Sequence, residues 1–129
     1  MNMMSVHVGA ACPTATTAGA LQRTRDFLEV LVPPLGAEAA DSVILVVSEL
    51  VTNALLHAGG ACTLNLTAYP DSIEVAVHDP SQQAPRMRTP DLNRGTGGFG
   101  WPMVNRLSRT TRVTEAPTGG KTVRALLPR

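Results

Sequence analysis

One stretch constrains this chain more than any other: EAADSVILVVSELVTNALLH, residues 38–57. Its apolar residues Val43, Ile44, Val46, Val47, Leu50, Val51, Ala54 and Leu55 fill most of a helical circumference. A helix apolar nearly all round is normally a buried one. Glu49, Asn53 and His57 recur every four residues, so on a helix they stack into one polar stripe. The edges of that stripe, Leu45 and Leu56, are apolar as well. Burying a carboxylate there costs free energy unless it is paired or engaged in chemistry. The helix alone leaves two readings open, an ordinary solvated face and a functional stripe.

The rest of the chain bounds what such a helix can serve. At 129 residues it is long enough for one domain with a real core, and 43% hydrophobic against 16% charged residues favours folding. Lys+Arg 11 against Asp+Glu 10 gives a net charge of +1, which provides no basic footprint for nucleic acid or an anionic membrane. Aromatic residues at 3% argue against stacking on bases. Cys12 and Cys62 lack CxxC spacing and read as free thiols of a reducing cytoplasm. The first residues lack a basic segment followed by an apolar one, so they make a poor signal peptide. The aliphatic run Val43 to Val47 is too short to span a bilayer. A soluble cytoplasmic protein is the expectation.

Residues 1–17 are weakly patterned: Val6 and Val8 alternate with polar neighbours as in an edge strand, and 12–17 reads as a loop. A first helix is predicted over 18–32, N-capped by Thr17 and stopped by Pro33-Pro34. After the central helix and Gly59-Gly60, residues 61–69 alternate as a strand. Pro70-Asp71-Ser72 turns the chain into a second strand over 73–79. Strict parity puts Asp79 on the apolar side with Ile73, Val75 and Val77, and His78 on the other. Asp79 is thus a second misplaced carboxylate, unless it forms an Asx-turn ahead of Pro80. Residues 80–100 have no period and are punctuated by prolines and glycines, as expected of a functional lid. A short helix from Trp101 and two hairpin strands near 110–115 and 122–127 close the chain.

Gly97-Gly98-Phe99-Gly100 leading into that short helix has the ingredients of an anion site: close backbone approach, unpaired N–H groups and a favourable dipole. A loop needing glycine only for its turns would read the same way. Two literal motif matches fail on context. Gly95, Gly97 and Gly100 satisfy G-x-G-x-x-G without the preceding strand of a dinucleotide site. Gly120-Lys121-Thr122 resembles a P-loop tail, but Glu115 stands where its first glycine belongs. No nucleophile–base–orienter triad and no His/Cys metal cluster is legible.

The combination is more specific than its parts. SELVTNALLHA, VAVHDPS, GGFGWPMVNRLS and GGKTVRALLP, in that order, resemble the boxes of the Bergerat-fold (GHKL) ATPases. The branch they resemble is that of the anti-sigma-factor serine kinases and the actinobacterial ATP-binding regulators. The resemblance runs from about Leu21 to the end. It implies an α/β two-layer sandwich, a mixed, mostly antiparallel sheet with helices on one face, the whole of 1–129 as one histidine-kinase-like ATPase domain, and 80–100 as ATP lid and glycine loop.

The resemblance also implies roles and partners. Glu49 would be the general base on the attacking hydroxyl, and Asn53 would hold Mg²⁺ bridging the phosphates of ATP. Asp79 would accept from the adenine amino group while offering guanine no donor, with Thr122 assisting through water. Ser81, Gly98, Gly100 and Trp101 would complete the nucleotide site. Ser81 stands where glycine is frequent, Trp101 where leucine is common, and Phe99 where the branch commonly has an arginine that could contact phosphate. The implied protein is an ATP-binding regulator, a serine/threonine kinase acting on a sigma factor or an anti-anti-sigma protein, with no direct nucleic-acid or membrane partner; a homodimer is compatible with this reading. The alternative is a nucleotide-responsive module that sequesters its partner without transferring phosphate. Such a site does its work mainly by positioning and charge neutralisation.

Overall fold

The computed structural model describes residues 7–8, 12–57, 62–80, 100–117 and 119–129. The elements run β1 (His7–Val8), β2 (Cys12–Thr14), α1 (Thr17–Glu29), α2 (Ala37–His57), β3 (Cys62–Ala68), β4 (Ser72–Asp79), α3 (Gly100–Leu107), β5 (Thr110–Glu115) and β6 (Lys121–Pro128). The strands form one sheet in the order β1-β3-β4-β6-β5, with β2 also on β3. Each of these pairings is antiparallel. The helices pack on one face, α2 against β3, β4 and β6 and flanked by α1 and α3. This is the expected two-layer α/β sandwich.

Strand parity decides what faces the helices. The register sets Ile73 opposite Leu127, Val75 opposite Ala125, Val77 opposite Val123 and Asp79 opposite Lys121. The apolar members of those pairs are buried beneath α2, whose Val43, Val46, Val47 and Val51 are fully buried in turn. Leu64 and Leu66 of β3 join the same cluster. Burial of this kind contributes about 1.5–3 kcal/mol for each large aliphatic side chain. Of the alternate positions, Asn65, His78 and Arg124 are exposed on the far face. By length and mean hydropathy (1.6) residues 37–56 would also suit a bilayer, although the run Val43 to Val47 alone would not. The contacts of α2 with the sheet and both other helices instead mark it as a core helix.

Three boundaries differ from expectation for identifiable reasons. The N-cap of α1 is Thr16, not Thr17; its hydroxyl accepts from the Gly19 N–H at 3.0 Å. Thr17 instead shares a 3.1 Å hydroxyl contact with Thr52, tying α1 to α2. The helix stops at Glu29, short of Val32, because a residue preceding proline is pushed out of the helical region and the chain must unwind before it. Cys12–Thr14, expected as loop, is an edge strand on β3. An edge tolerates Pro13, which has no N–H to donate.

Candidate functional site

Glu49 and Asn53 lie one turn apart on α2, both half-buried. α3 begins directly against Glu49. A Cβ built on Gly100 would overlap the Glu49 Oε2 atom and come within 3.0 Å of Cδ. Glycine at 100 thus lets the first turn of α3 approach this carboxylate with no side chain between them. The N-terminal end of a helix favours negative charge, so the α3 start and the carboxylate are electrostatically compatible. His57 closes α2.

One turn beyond Glu49, Asn53 lines a small pocket together with Leu50, Ala54, Val77, Asp79, Lys121 and Val123. Four of these side chains are apolar and three polar, and the space they enclose is about 10 Å³, the size of a single water. Asp79 is 2% exposed and lies on the helix-facing parity of β4, where sequence alternation put it. Its partner across the β4–β6 ladder is Lys121, itself 4% exposed. Lys121 Nζ lies 3.1 Å from each of the two Asp79 carboxylate oxygens. Removing one member of a buried pair costs on the order of 3–5 kcal/mol. A neutral hydrogen bond returns only about 0.5–1.5 kcal/mol net. Any ligand that enters this pocket therefore meets an ion pair, not a lone carboxylate.

Gly120 holds the backbone beside the pair. Its φ is +86°, and a Cβ there would come within 2.6 Å of the Asp79 carbonyl oxygen. The close approach of the β5–β6 loop to the end of β4 therefore requires glycine at this position. Cys62, the first residue of β3, is buried. Burial pushes its thiol above the ordinary value, and the charge of Asp79 adds to the shift. The nearby thiol thus stays protonated and is a poor nucleophile.

Thr122 is not where the nucleotide reading expected it. Adjacent residues on a strand face opposite ways, so with Lys121 toward the helices Thr122 faces away from them. It sits opposite His78, and its hydroxyl is 3.0 Å from His78 Nδ1 on the far face. A one-residue change of register exchanges the faces, and the position that meets Asp79 is Lys121. Sequence reasoning missed Lys121. The available signal was a lysine on the same parity as Val123, Ala125 and Leu127, a misplaced cation complementary to the misplaced Asp79. Trp101 is half-buried against the core cluster, and its carbonyl accepts from Asn105 Nδ2 at 3.0 Å. Ser81, Gly98 and Phe99 lie outside the described residues, as does nearly all of the expected lid.

The residues present suit a nucleotide in two respects: an inward-facing Asp79 among apolar side chains, and a glycine that admits a helix start to a carboxylate-bearing turn. Among the described residues no group of three or more His, Cys, Asp or Glu could hold a metal by itself.

Comparison with known families matches residues 14–126 to the histidine kinase-like ATPase domain. The chain belongs to this family. It is accordingly an ATP-binding domain, and the match spans α1 through most of β6. Among solved structures, a chain of the SiaB–SiaC complex from Pseudomonas aeruginosa is similar in fold, with a TM-score of 0.67 at 15% identity over 93% of this chain and 91% of that one. Comparison with curated proteins finds no match.

Proposed function

We propose that this protein is a cytoplasmic, ATP-binding regulator that transfers the γ-phosphoryl group of ATP to a serine or threonine of a protein partner, in the manner of an anti-sigma-factor kinase. The observation that carries the reading is the junction of Glu49 with Gly100. It sets a carboxylate at the start of α3, one turn from Asn53 and the Asp79 pocket. In this reading Asp79 binds the base, Asn53 holds Mg²⁺, and the metal supplies charge neutralisation at the phosphates. Glu49 takes the proton from the attacking hydroxyl. The backbone N–H groups of Gly98 and Gly100 would meet the phosphates, and Ser81 and Trp101 would complete the nucleotide site. Thr122 supports His78 on the far face and does not touch the base.

The partner is a sigma factor or an anti-anti-sigma protein. The structural relative from Pseudomonas aeruginosa was crystallised as a complex of two proteins, which supports a protein partner for this fold. Residues 1–129 would act as one domain, with 80–100 as lid. A second reading, a nucleotide-responsive module that sequesters its partner, is favoured by Phe99 in place of the branch's usual arginine. Incubation with labelled ATP, Mg²⁺ and candidate anti-anti-sigma proteins separates the two. Label on the partner's serine or threonine supports the kinase. Nucleotide-dependent capture without label supports the module.

A further inference from the structure

We infer that β5 is a docking strand, whose free edge takes an extended segment of a protein partner in which acidic and apolar residues alternate. The inference lies outside the nucleotide site and does not depend on it. β5 closes one side of the sheet, and among the described residues nothing pairs with its outer edge. The opposite side of the sheet is blunted: β1 has two residues and β2 three, with Pro13 at the centre of β2. The six residues of β5, TTRVTE, contain no proline and are rich in threonine and valine, which favour extended backbone. The Ala116 N–H donates to the Gly120 carbonyl at 3.0 Å, which fixes the phase of the β5–β6 ladder. Counted back in register, Thr114 and Arg112 turn their backbone groups toward β6, while Thr111, Val113 and Glu115 turn theirs outward. Such an edge offers main-chain hydrogen bonds to an incoming strand, and the side chains beside it decide which strand is taken.

Two side chains make that choice. Arg112 lies on the far face, directly opposite Arg124. Like charges directly opposite one another destabilise a sheet. Glu74 lies 3.5 Å from Arg124 and offsets one of the two charges. Among the described residues Arg112 has no such carboxylate. The two guanidinium groups border a groove of about 430 Å³ together with Glu74, Thr110, Thr111 and Leu126. An acidic residue on an added strand, opposite Arg112, supplies the missing counter-charge there. Val113 has the helix-facing parity but stays 39% exposed, since α3 is the one helix that reaches β5 among the described residues. The next residue of the added strand falls opposite Val113, and an apolar side chain covers it.

A second copy of this chain does not meet the same demand. Side chains directly opposite across a ladder share a face, so two β5 strands related by a two-fold axis bring like face to like face. The far face of β5 holds Thr110, Arg112 and Thr114, with no carboxylate among them, and Glu115 has the opposite parity. Arg112 thus admits an acidic strand and works against its own copy.

The probes are two fluorescein-labelled synthetic peptides of equal length, one alternating glutamate with valine and the other lysine with valine. Each is titrated against the whole chain by fluorescence anisotropy. Wild type should bind the glutamate peptide at least about tenfold tighter than the lysine peptide. Val113→Pro removes an outward N–H that β6 does not use, which an edge strand tolerates, and should weaken the glutamate peptide by about tenfold or more. Arg112→Glu should reverse the preference. Equal affinity for the two peptides, no binding of the glutamate peptide at about 1 mM, or undiminished binding by Val113→Pro overturns the inference. So does a wild-type dimer in sedimentation equilibrium that Val113→Pro dissolves, because the edge then belongs to a second copy. If Val113→Pro does not fold, amide hydrogen exchange of the wild-type protein decides. The glutamate peptide should slow exchange at Thr111, Val113 and Glu115, and unchanged exchange at all three overturns the inference.

Discussion

The Glu49 carboxylate and the α-carbon of Gly100 are in such close approach that even a methyl group at 100 would overlap Glu49 Oε2. Residues 51 positions apart in the chain are thereby locked into one junction, the C-terminal half of α2 with the start of α3. The atoms in the way are the far end of a flexible side chain, so Glu49 can rotate aside. Gly100→Ala should therefore change stability by no more than about 1 kcal/mol in urea denaturation. Phosphoryl transfer should fall toward that of Glu49→Ala, because the carboxylate has moved. A large stability loss together with normal transfer would show that the junction is structural.

The Asp79–Lys121 pair makes a second, opposite expectation. Asp79→Asn leaves a buried ammonium without its counter-charge, and Lys121→Met leaves a buried carboxylate. Each should cost about 3–5 kcal/mol. Replacing both with apolar residues, Asp79→Leu with Lys121→Met, should restore most of that loss while abolishing nucleotide binding. Denaturant midpoints of the two single variants and the double variant give the coupling directly. Additive losses would mean that the two charges do not depend on each other.

How much of this was legible beforehand follows from the kind of signal each residue leaves. The burial of α2 and the inward face of Asp79 could be read because periods of 3.6 and 2 are written over many residues, and one odd residue stands out against them. Lys121 left the same kind of signal by sharing the parity of Val123, Ala125 and Leu127, but which residue it meets is fixed only when β6 is laid beside β4. β2 is three residues with a proline at its centre, too short for any period to appear. The meeting of Glu49 with Gly100 is a tertiary contact; each residue was singled out on its own, but their approach has no sequence signature.

Cys62 supplies a pH dependence with a definite sign. Its thiol is raised in the folded protein, first by burial and then by the charge of Asp79, so the folded state holds its proton more tightly than the unfolded chain does. The stability this contributes is fully present below the unfolded thiol value of about 8.5 and is lost as pH rises through the higher folded value. Denaturation between pH 7.5 and 10 should therefore show wild type weakening more steeply than Cys62→Ala. Alkylation of Cys62 at pH 8 should be slow in the native protein and fast in denaturant. Equal slopes for the two proteins would remove Cys62 as a contributor.

The last prediction separates a kinase from a switch module. Glu49 and Asn53 share one face of α2, but the proposed roles differ in when they matter. A general base acts after ATP is bound, whereas a metal-holding side chain acts in the ground state as well as during transfer. Glu49→Ala should leave Mg-ATP affinity nearly unchanged and lower transfer to a partner serine or threonine by a factor of about 10²–10⁴. Asn53→Ala should weaken both, since the phosphates then lose part of their charge neutralisation in either state. Single-turnover transfer measured beside equilibrium ATP binding for both variants makes the distinction. Wild-type transfer by Glu49→Ala would remove Glu49 as the base. Tight ATP binding by the wild-type protein, with no transfer to any captured partner, would make the nucleotide-responsive module the better account. Glu49 would then serve to hold the α2–α3 junction that Gly100 permits.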